Sequence, residues 1–364
     1  MRIEPFRLER YFAKHEFTTR YLLSSSDCES WSLGELLAMA SPELREAWER
    51  QRFGYTDSLG HFGLRSRIAG LYESITPEQV LTAAPEEAIF ILMHALLEAG
   101  DRVAVLTPAY QSLTAVARSI GCEVIAVPLA VADGGWSLDL DRLREAVTPS
   151  TRLLVVNFPH NPTGYLPTPE TFAAIVDAAR HSDAWLLCDE MYRLLEHEPT
   201  SRLPAAVDVY EKGVSLSGLS KSFGLPGLRV GWLAARDSAL LDRCVGVKDY
   251  TTICGSAPSE ALAMIALDAS GLILRRNLDI VLRNRDAARA CFAPPNYRWL
   301  QPAGGSTGFP MWTGPGSVED FAAAMLAERQ VLAVPGGLFG WPGSHFRVGL
   351  GRENLPEVLA QLVL

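Results

Sequence analysis

The chain has 364 residues, 48% hydrophobic and 21% charged, which suits a large buried core and excludes a disordered or fibrous protein. A formal charge of −9 provides no basic stripe for nucleic acid, and no run approaches the roughly 20 apolar residues of a membrane span, so neither partner is expected. Six scattered cysteines show no Cys-x-x-Cys and no Cys/His cluster at metal spacing; they read as reduced thiols, with no metal site.

Met1 to Phe17 is densely charged and lacks the apolar segment of a secretory leader, so a cytoplasmic protein is expected. A serine-rich stretch follows, Leu23-Ser24-Ser25-Ser26-Asp27-Cys28-Glu29-Ser30. Asp27 and Glu29 suit either carboxylates leading a helix over Trp31–Leu37 or contacts to a cationic side chain. A helix is predicted over Pro85–Ala99, with proline at its start, Glu86 and Glu87 in its first turn and Gly100 just past its end. Its middle is apolar nearly all round apart from His94, so it should be buried.

From about residue 80 to 235, short apolar runs alternate with helical stretches. Strands are predicted at Val103–Leu106, Glu123–Val127, Leu153–Val156, Trp185–Cys188, Gly213–Leu216 and Arg229–Leu233. That alternation predicts an α/β domain, a mostly parallel sheet with helices on both faces. Beyond about 255, a long helical stretch through Leu282 leads to short strands near Gly308–Trp312, Val331–Val334 and Phe346–Val348, the pattern of a smaller α+β domain.

Three motifs lie where parallel sheets carry their chemistry, beyond the carboxyl ends of strands. Asn157-Phe158-Pro159-His160-Asn161-Pro162-Thr163-Gly164 follows one strand and Asp189-Glu190-Met191-Tyr192 another. The third is Ser217-Gly218-Leu219-Ser220-Lys221, with Arg229 eight residues beyond the lysine. A primary amine beside hydroxyls and a guanidinium is what a phosphorylated aldehyde needs. The amine forms a Schiff base and the other groups hold phosphate. An aspartate ending a buried strand is costly unless paired, and a protonated pyridine nitrogen is one such partner; a helix N-cap is the plainer alternative. Tyr192 and Asn161 suit a ring phenolic oxygen, although Asn-Pro-Thr-Gly is also a turn sequence.

In order and spacing, the set resembles the fold-type-I pyridoxal phosphate enzymes, the class I/II aminotransferases, from about Tyr55 to the C-terminus. The resemblance implies pyridoxal 5′-phosphate as cofactor. It also implies a large domain over 46–260 and a small domain formed by 1–45 with 261–364. Lys221 is then the Schiff-base lysine and proton carrier, with Asp189 and Tyr192 as its catalytic partners at the ring. Tyr110 is the aromatic stacked on the ring. Pro85, Glu86, Ser217, Ser220 and Arg229 surround the phosphate, with backbone N–H groups from the helix start. Tyr55 reaches the phosphate of a neighbouring chain, which makes a homodimer with shared sites. Arg347 grips the substrate α-carboxylate beside Asn161.

One departure stands out. Ala84-Pro85-Glu86 replaces the Gly-Ala-Thr-like residues common in relatives. Proline offers no N–H, and Glu86 puts a carboxylate where a dianion is expected, so it must point away or be offset by Arg229. The implied activity is amino transfer from an L-amino acid to a 2-keto acid, a transferase of amino acid metabolism. A specialised enzyme on the same fold, an arginine-type oxidase or cyclase or a decarboxylase, fits the same site. The serine-rich opening leans that way, being faintly similar to that of capreomycidine-synthase relatives. A non-catalytic regulator built on this fold lacks support, because no DNA-reading helix or basic stripe precedes the core.

Overall fold

The computed structural model describes residues 3–132 and 135–362. Eight strands form one mixed sheet in the order Val80–Ala83, Gly231–Ala235, Gly213–Gly218, Trp185–Asp189, Thr151–Asn157, Arg102–Thr107, Glu123–Ala132, Gly135–Leu138. The five from Gly213–Gly218 to Glu123–Ala132 pair in parallel. Gly231–Ala235 runs antiparallel to both its neighbours, and Gly135–Leu138 is antiparallel at the far edge.

The strands read as apolar runs because both faces are covered. Trp185–Asp189 and Gly231–Ala235 are buried at every position. Alternate residues serve opposite layers. Val103, Val105, Leu187 and Leu216 pack with the helices Pro85–Leu96, Ser112–Ile120 and Ser238–Lys248. Ala104, Leu106, Leu186 and Cys188 pack with Leu140–Ala146 and Pro169–His181. Parallel register brings the strand ends to one edge, with Asn157 opposite Asp189 and Asp189 opposite Leu216.

Two boundaries differ from expectation. The helix from Pro85 stops at Leu96 rather than Ala99, because Leu97 is already extended. The strand expected from Arg229 begins at Gly231. Pro226–Leu228 forms a 3₁₀ turn, and Arg229 caps it in the left-handed region at φ 55°. The edge strands Val80–Ala83 and Gly135–Leu138 were not foreseen in the sequence.

Beyond residue 269 the helices Ser270–Cys291, Val318–Arg329 and Leu355–Ala360 enclose a second core with Phe292, Phe321 and Phe346. Its sheet has the order Thr307–Gly308, Phe346–Gly349, Val334–Pro335. The N-terminal 45 residues do not all pack there. Tyr21–Leu22 pairs in parallel with Val331–Leu332. The helices Leu33–Ala38 and Pro42–Glu49 instead lay Leu36, Leu44 and Trp48 on the helix Ala257–Asp268, in one core with Leu64 and Trp232 of the large domain. Their apolar faces decide this. The stretch from Tyr21 to about Glu29 is knitted to the small domain, the helix Arg7–His15 bridges both, bonding to Gln111 and to the Ala333 carbonyl, and on the C-terminal side the change falls near residue 269 rather than 261.

Candidate active site

A cavity of ≈ 770 Å³ opens at the carboxyl edge of the parallel strands. The large sheet supplies its floor, with Asn161, Asp189, Tyr192, Ser220 and Lys221. Other walls come from the helix Arg7–His15, the segment Ser25–Asp27, the start of the Pro85 helix, Tyr110, Arg229 and Arg347.

Asp189 ends its strand buried, with one carboxylate oxygen accepting from the Met191 N–H at 3.1 Å. Burial pushes its pKa up to about 6, opposed by that hydrogen bond and by Lys221. Lys221 follows the next strand and donates from Nζ to Ser26 Oγ at 2.8 Å. Burial lowers its pKa; Asp27 and Glu9 oppose this, while Arg347 and Arg229 reinforce it. A lysine so placed reaches the neutral form nearer to neutral pH than an exposed one.

The Asn157 to Gly164 segment ties floor to wall. The Asn157 amide donates to the Asp189 carbonyl at 2.7 Å and accepts from the Asn161 N–H at 2.7 Å. Arg347 Nη1 donates to the Asn161 amide oxygen at 3.2 Å, which leaves the Asn161 NH₂ as its donor end. Gly164 has φ 68°, and a Cβ there would lie 2.3 Å from Pro302 Cβ, so this glycine lets the small-domain loop close on the motif.

Arg347 is 1% exposed. Its Nε donates to the Ser24 carbonyl at 3.1 Å, and its guanidinium lies 5.1 Å from the Phe339 ring centre. Among the described residues no carboxylate lies within 4.0 Å of it. A buried guanidinium without a counter-ion is costly, and it faces the same cavity as Lys221. Two hydroxyls there are also buried without a hydrogen-bond partner among the described residues, Ser220 Oγ and Tyr192 Oη. Ser26 lies near enough to Tyr192 to lower its pKa without reaching an aligned hydrogen bond; burial still pushes that pKa well up.

Tyr110 stands on the wall and donates to Glu9 Oε1 at 2.5 Å. Glu86 does not point away. It lines the cavity, accepts from Ser112 Oγ at 3.1 Å, and burial raises its pKa to about 7. Ser112 and Arg229 oppose that rise, while Asp189 and Glu9 add to it. Ser217 is a correction: its hydroxyl donates to the Glu190 carbonyl at 3.2 Å and is not part of the cavity wall. Tyr55 is 91% exposed beside Cys254–Pro258, away from the cavity of its own chain. Of the two early acids, Asp27 lines the cavity while paired to Arg352 at 2.7 Å. Glu29 does not line it, accepting from the Glu353 N–H at 3.0 Å with Arg352 at 3.9 Å. The roles of Glu9, Ser24, Ser26 and Ser112 were not read from sequence. Only the serine run gave a signal, as an unusual opening.

Residues 25–362 match the family model for aminotransferase class I and II. The chain belongs to that family. It is 33% identical to the capreomycidine synthase of Streptomyces vinaceus, over 98% of this chain and 92% of that protein. It is 30% identical to an arginine–pyruvate transaminase of Pseudomonas aeruginosa, over 85% of this chain and 81% of the other. A solved aminotransferase of Streptococcus suis superposes with a TM-score of 0.93 at 30% identity, covering 100% of this chain and 97% of that one. The solved cyclase OrfR superposes at 0.90 with 30% identity and the same coverage. Members of this family are pyridoxal 5′-phosphate enzymes, and so is this protein. The residues fit the cofactor. Among the described residues Asp189 has no cation within 4.0 Å and Ser220 Oγ and Tyr192 Oη have no hydrogen-bond partner, and all three residues face one cavity with Lys221.

Proposed function

We propose that this enzyme is an aminotransferase that moves the amino group of an L-amino acid to a 2-keto acid. Arg347 carries the reading. A buried guanidinium with no carboxylate partner, facing the cavity of Lys221, is suited to an α-carboxylate. Bound there, pyridoxal 5′-phosphate supplies an electron sink for the bond broken at the substrate Cα. Asp189 would face the ring nitrogen, Tyr192 and the Asn161 NH₂ its phenolic oxygen, and Tyr110 its face. Ser220, Arg229 and the start of the Pro85 helix would hold the phosphate. Arg347 fixes the plane of the substrate, so that the Cα–H bond is presented to Lys221. Lys221 Nζ, neutral after displacement, takes that proton.

A second reading, a cyclase on the same fold, is favoured by one observation. The likeness to capreomycidine synthase spans 98% of the chain, which takes in the serine-rich segment that walls the cavity. We also propose a cytoplasmic homodimer. Tyr55 and Tyr250, 91% and 93% exposed with Phe53 and Ile253 nearby in sequence, would be covered by a second chain and Tyr55 would enter its site.

The test is to incubate the purified, cofactor-loaded protein with single amino acids and a 2-keto acid. Amino transfer gives one new keto acid and one new amino acid for each donor consumed. Donor loss without amination of the acceptor, with a ring-closed product by mass spectrometry, selects the cyclase. Light scattering at micromolar concentration tests the dimer, and a monomer mass would remove it.

A further inference from the structure

Ser26 lies 195 positions before Lys221 in the chain, yet its Oγ is the hydrogen-bond acceptor of the Lys221 amine at 2.8 Å. It comes from the segment knitted to the small domain, not from the sheet that carries Lys221. That segment is pinned on both sides. Ser24 Oγ donates to the Arg347 carbonyl and accepts from the Val334 N–H at 2.9 Å. The Gly349 N–H donates to the Leu23 carbonyl at 2.7 Å, and Ser306 Oγ donates to the Ser26 carbonyl at 2.8 Å. Asp27 is held by Arg352. The fit against the strand Phe346–Gly349 is tight enough that a Cβ at Gly349 would sit 1.7 Å from the Ser25 carbonyl oxygen. The Ser26 hydroxyl is therefore placed by rigid backbone, not by a mobile loop.

A hydroxyl has one hydrogen and two lone pairs. It accepts from an ammonium and donates to a neutral amine by turning about its C–O bond. A carboxylate in this place would accept only, and would hold the lysine charged. The Lys221 amine sits on a flexible four-carbon stem, so without a partner it samples many positions.

We propose that Ser26 is a positioning residue for Lys221, holding the free amine in one place in both of its charge states while it carries the substrate proton. The proposal rests on the aminotransferase reading only for the identity of that proton. Lys221 Nζ takes the proton from the substrate Cα, and its lone pair becomes an N–H bond. The electron pair of the broken Cα–H bond would pass to the bound cofactor, and when the new N–H bond breaks its proton would go to the carbon that carried the cofactor's aldehyde, leaving Nζ with its lone pair again. The hydrogen of Ser26 stays on its own oxygen throughout, so Ser26 is neither acid nor base. Because a hydrogen bond to a charged group is stronger than one to a neutral group, Ser26 also favours the ammonium. It acts alongside Asp27, Glu9, Glu16 and Asp189, whose charges favour the ammonium too, and against Arg347 and Arg229.

The test compares the full-length enzyme with Ser26→Ala and Ser26→Thr. First, the cofactor is removed and Lys221 is titrated by the pH dependence of its acetylation, read by peptide mass spectrometry. Ser26→Ala should move the midpoint down by about one pH unit, and Ser26→Thr should restore it. Second, with cofactor and an active amino acid, Ser26→Ala should lower kcat about 10- to 100-fold with KM changed less than about threefold. The kinetic isotope effect with an α-deuterated substrate should rise, because proton transfer becomes limiting. A purely structural role would lower activity without moving the midpoint or the isotope effect. An unchanged midpoint and isotope effect in Ser26→Ala would overturn the proposal. If Ser26→Ala does not fold, Ser26→Cys, similar in size and a weak partner, decides by the same two readouts. If no amino acid is turned over even by the unmodified enzyme, the aminotransferase reading fails, and the acetylation midpoint still judges Ser26.

Discussion

On the floor of the cavity, Asn161, Asp189 and Lys221 stand at or just beyond the ends of adjacent strands, and parallel register sets their spacing. On the opposite wall, Glu9 and Ser26 come from the first 30 residues and meet Tyr110 and Lys221 across 101 and 195 positions, while Ser24 beside them meets Arg347 across 323. The floor follows from strand order and register alone. The wall is built by the N-terminal segment, and it touches Lys221, Arg347 and Tyr110 directly. Chemistry shared with relatives should therefore depend on the floor, and substrate choice on the wall.

The sharpest break of that division is on the floor. Lys221→Ala should abolish borohydride trapping of the cofactor and lower kcat on the order of 10⁴-fold. Trapping that persists would mean another lysine carries the cofactor. Next comes Arg347, which belongs to the small domain but bonds to the floor through Asn161. Arg347→Ala should raise KM for the amino acid about 100-fold, and Arg347→Lys should recover only part, because a point charge cannot pair two oxygens at once. Unchanged affinity would place the carboxylate anchor elsewhere.

Glu86 gives an effect readable without catalysis. Its folded pKa, about 7, lies above the ordinary 4.5, so between those values the folded chain keeps a proton that the unfolded chain has lost. Stability must then fall as pH rises through that window, and the loss is complete above it. Glu86→Gln cannot ionise. It should match the parent near pH 4.5 and be more stable at pH 8, by up to about 3 kcal/mol in urea unfolding of the cofactor-free protein. Asp189 and Glu190, also raised by burial, carry the same sign, so only the difference between the two proteins isolates Glu86. Equal stability at pH 8 would show that Glu86 is solvated.

The smallest effect belongs to the wall. Glu9 and Glu16 lie seven residues apart along the helix Arg7–His15 and its cap, and both line the cavity with Asp27. Asp27 has Arg352, whereas among the described residues no cation lies within 4.0 Å of Glu16. Glu16→Gln should raise KM severalfold for amino acids with a cationic side chain and leave neutral ones unchanged. Equal changes for both would take Glu16 out of substrate choice.

The same division explains what could be read in the sequence. That Asp189, Lys221 and Arg347 would come to one cavity was legible because each sits in or just beyond an apolar strand, and strand and turn are neighbours in the chain. Ser217 was misjudged because it is still inside its strand, where alternation turns its hydroxyl to Glu190; Ser220, past the strand, reaches the cavity. The direction of Glu86 depends on Ser112 at the start of another helix, which no local pattern reveals. Helix Leu33–Ala38 and the first half of Pro42–Glu49 were expected with the small domain, because an apolar stripe shows that it will be buried, not against what. The Ser26–Lys221 contact joins two segments with no shared periodicity.

Gly349 touches neither Lys221 nor any group placed at the cofactor. Nevertheless, in a systematic substitution scan it should stand among the intolerant positions, beside true site residues. Any side chain there would press on the Ser25 carbonyl and displace the serine that receives the lysine. Intolerance at this position would mark a mechanical support, and it would be misread as a binding site by anyone ranking positions on loss of activity alone.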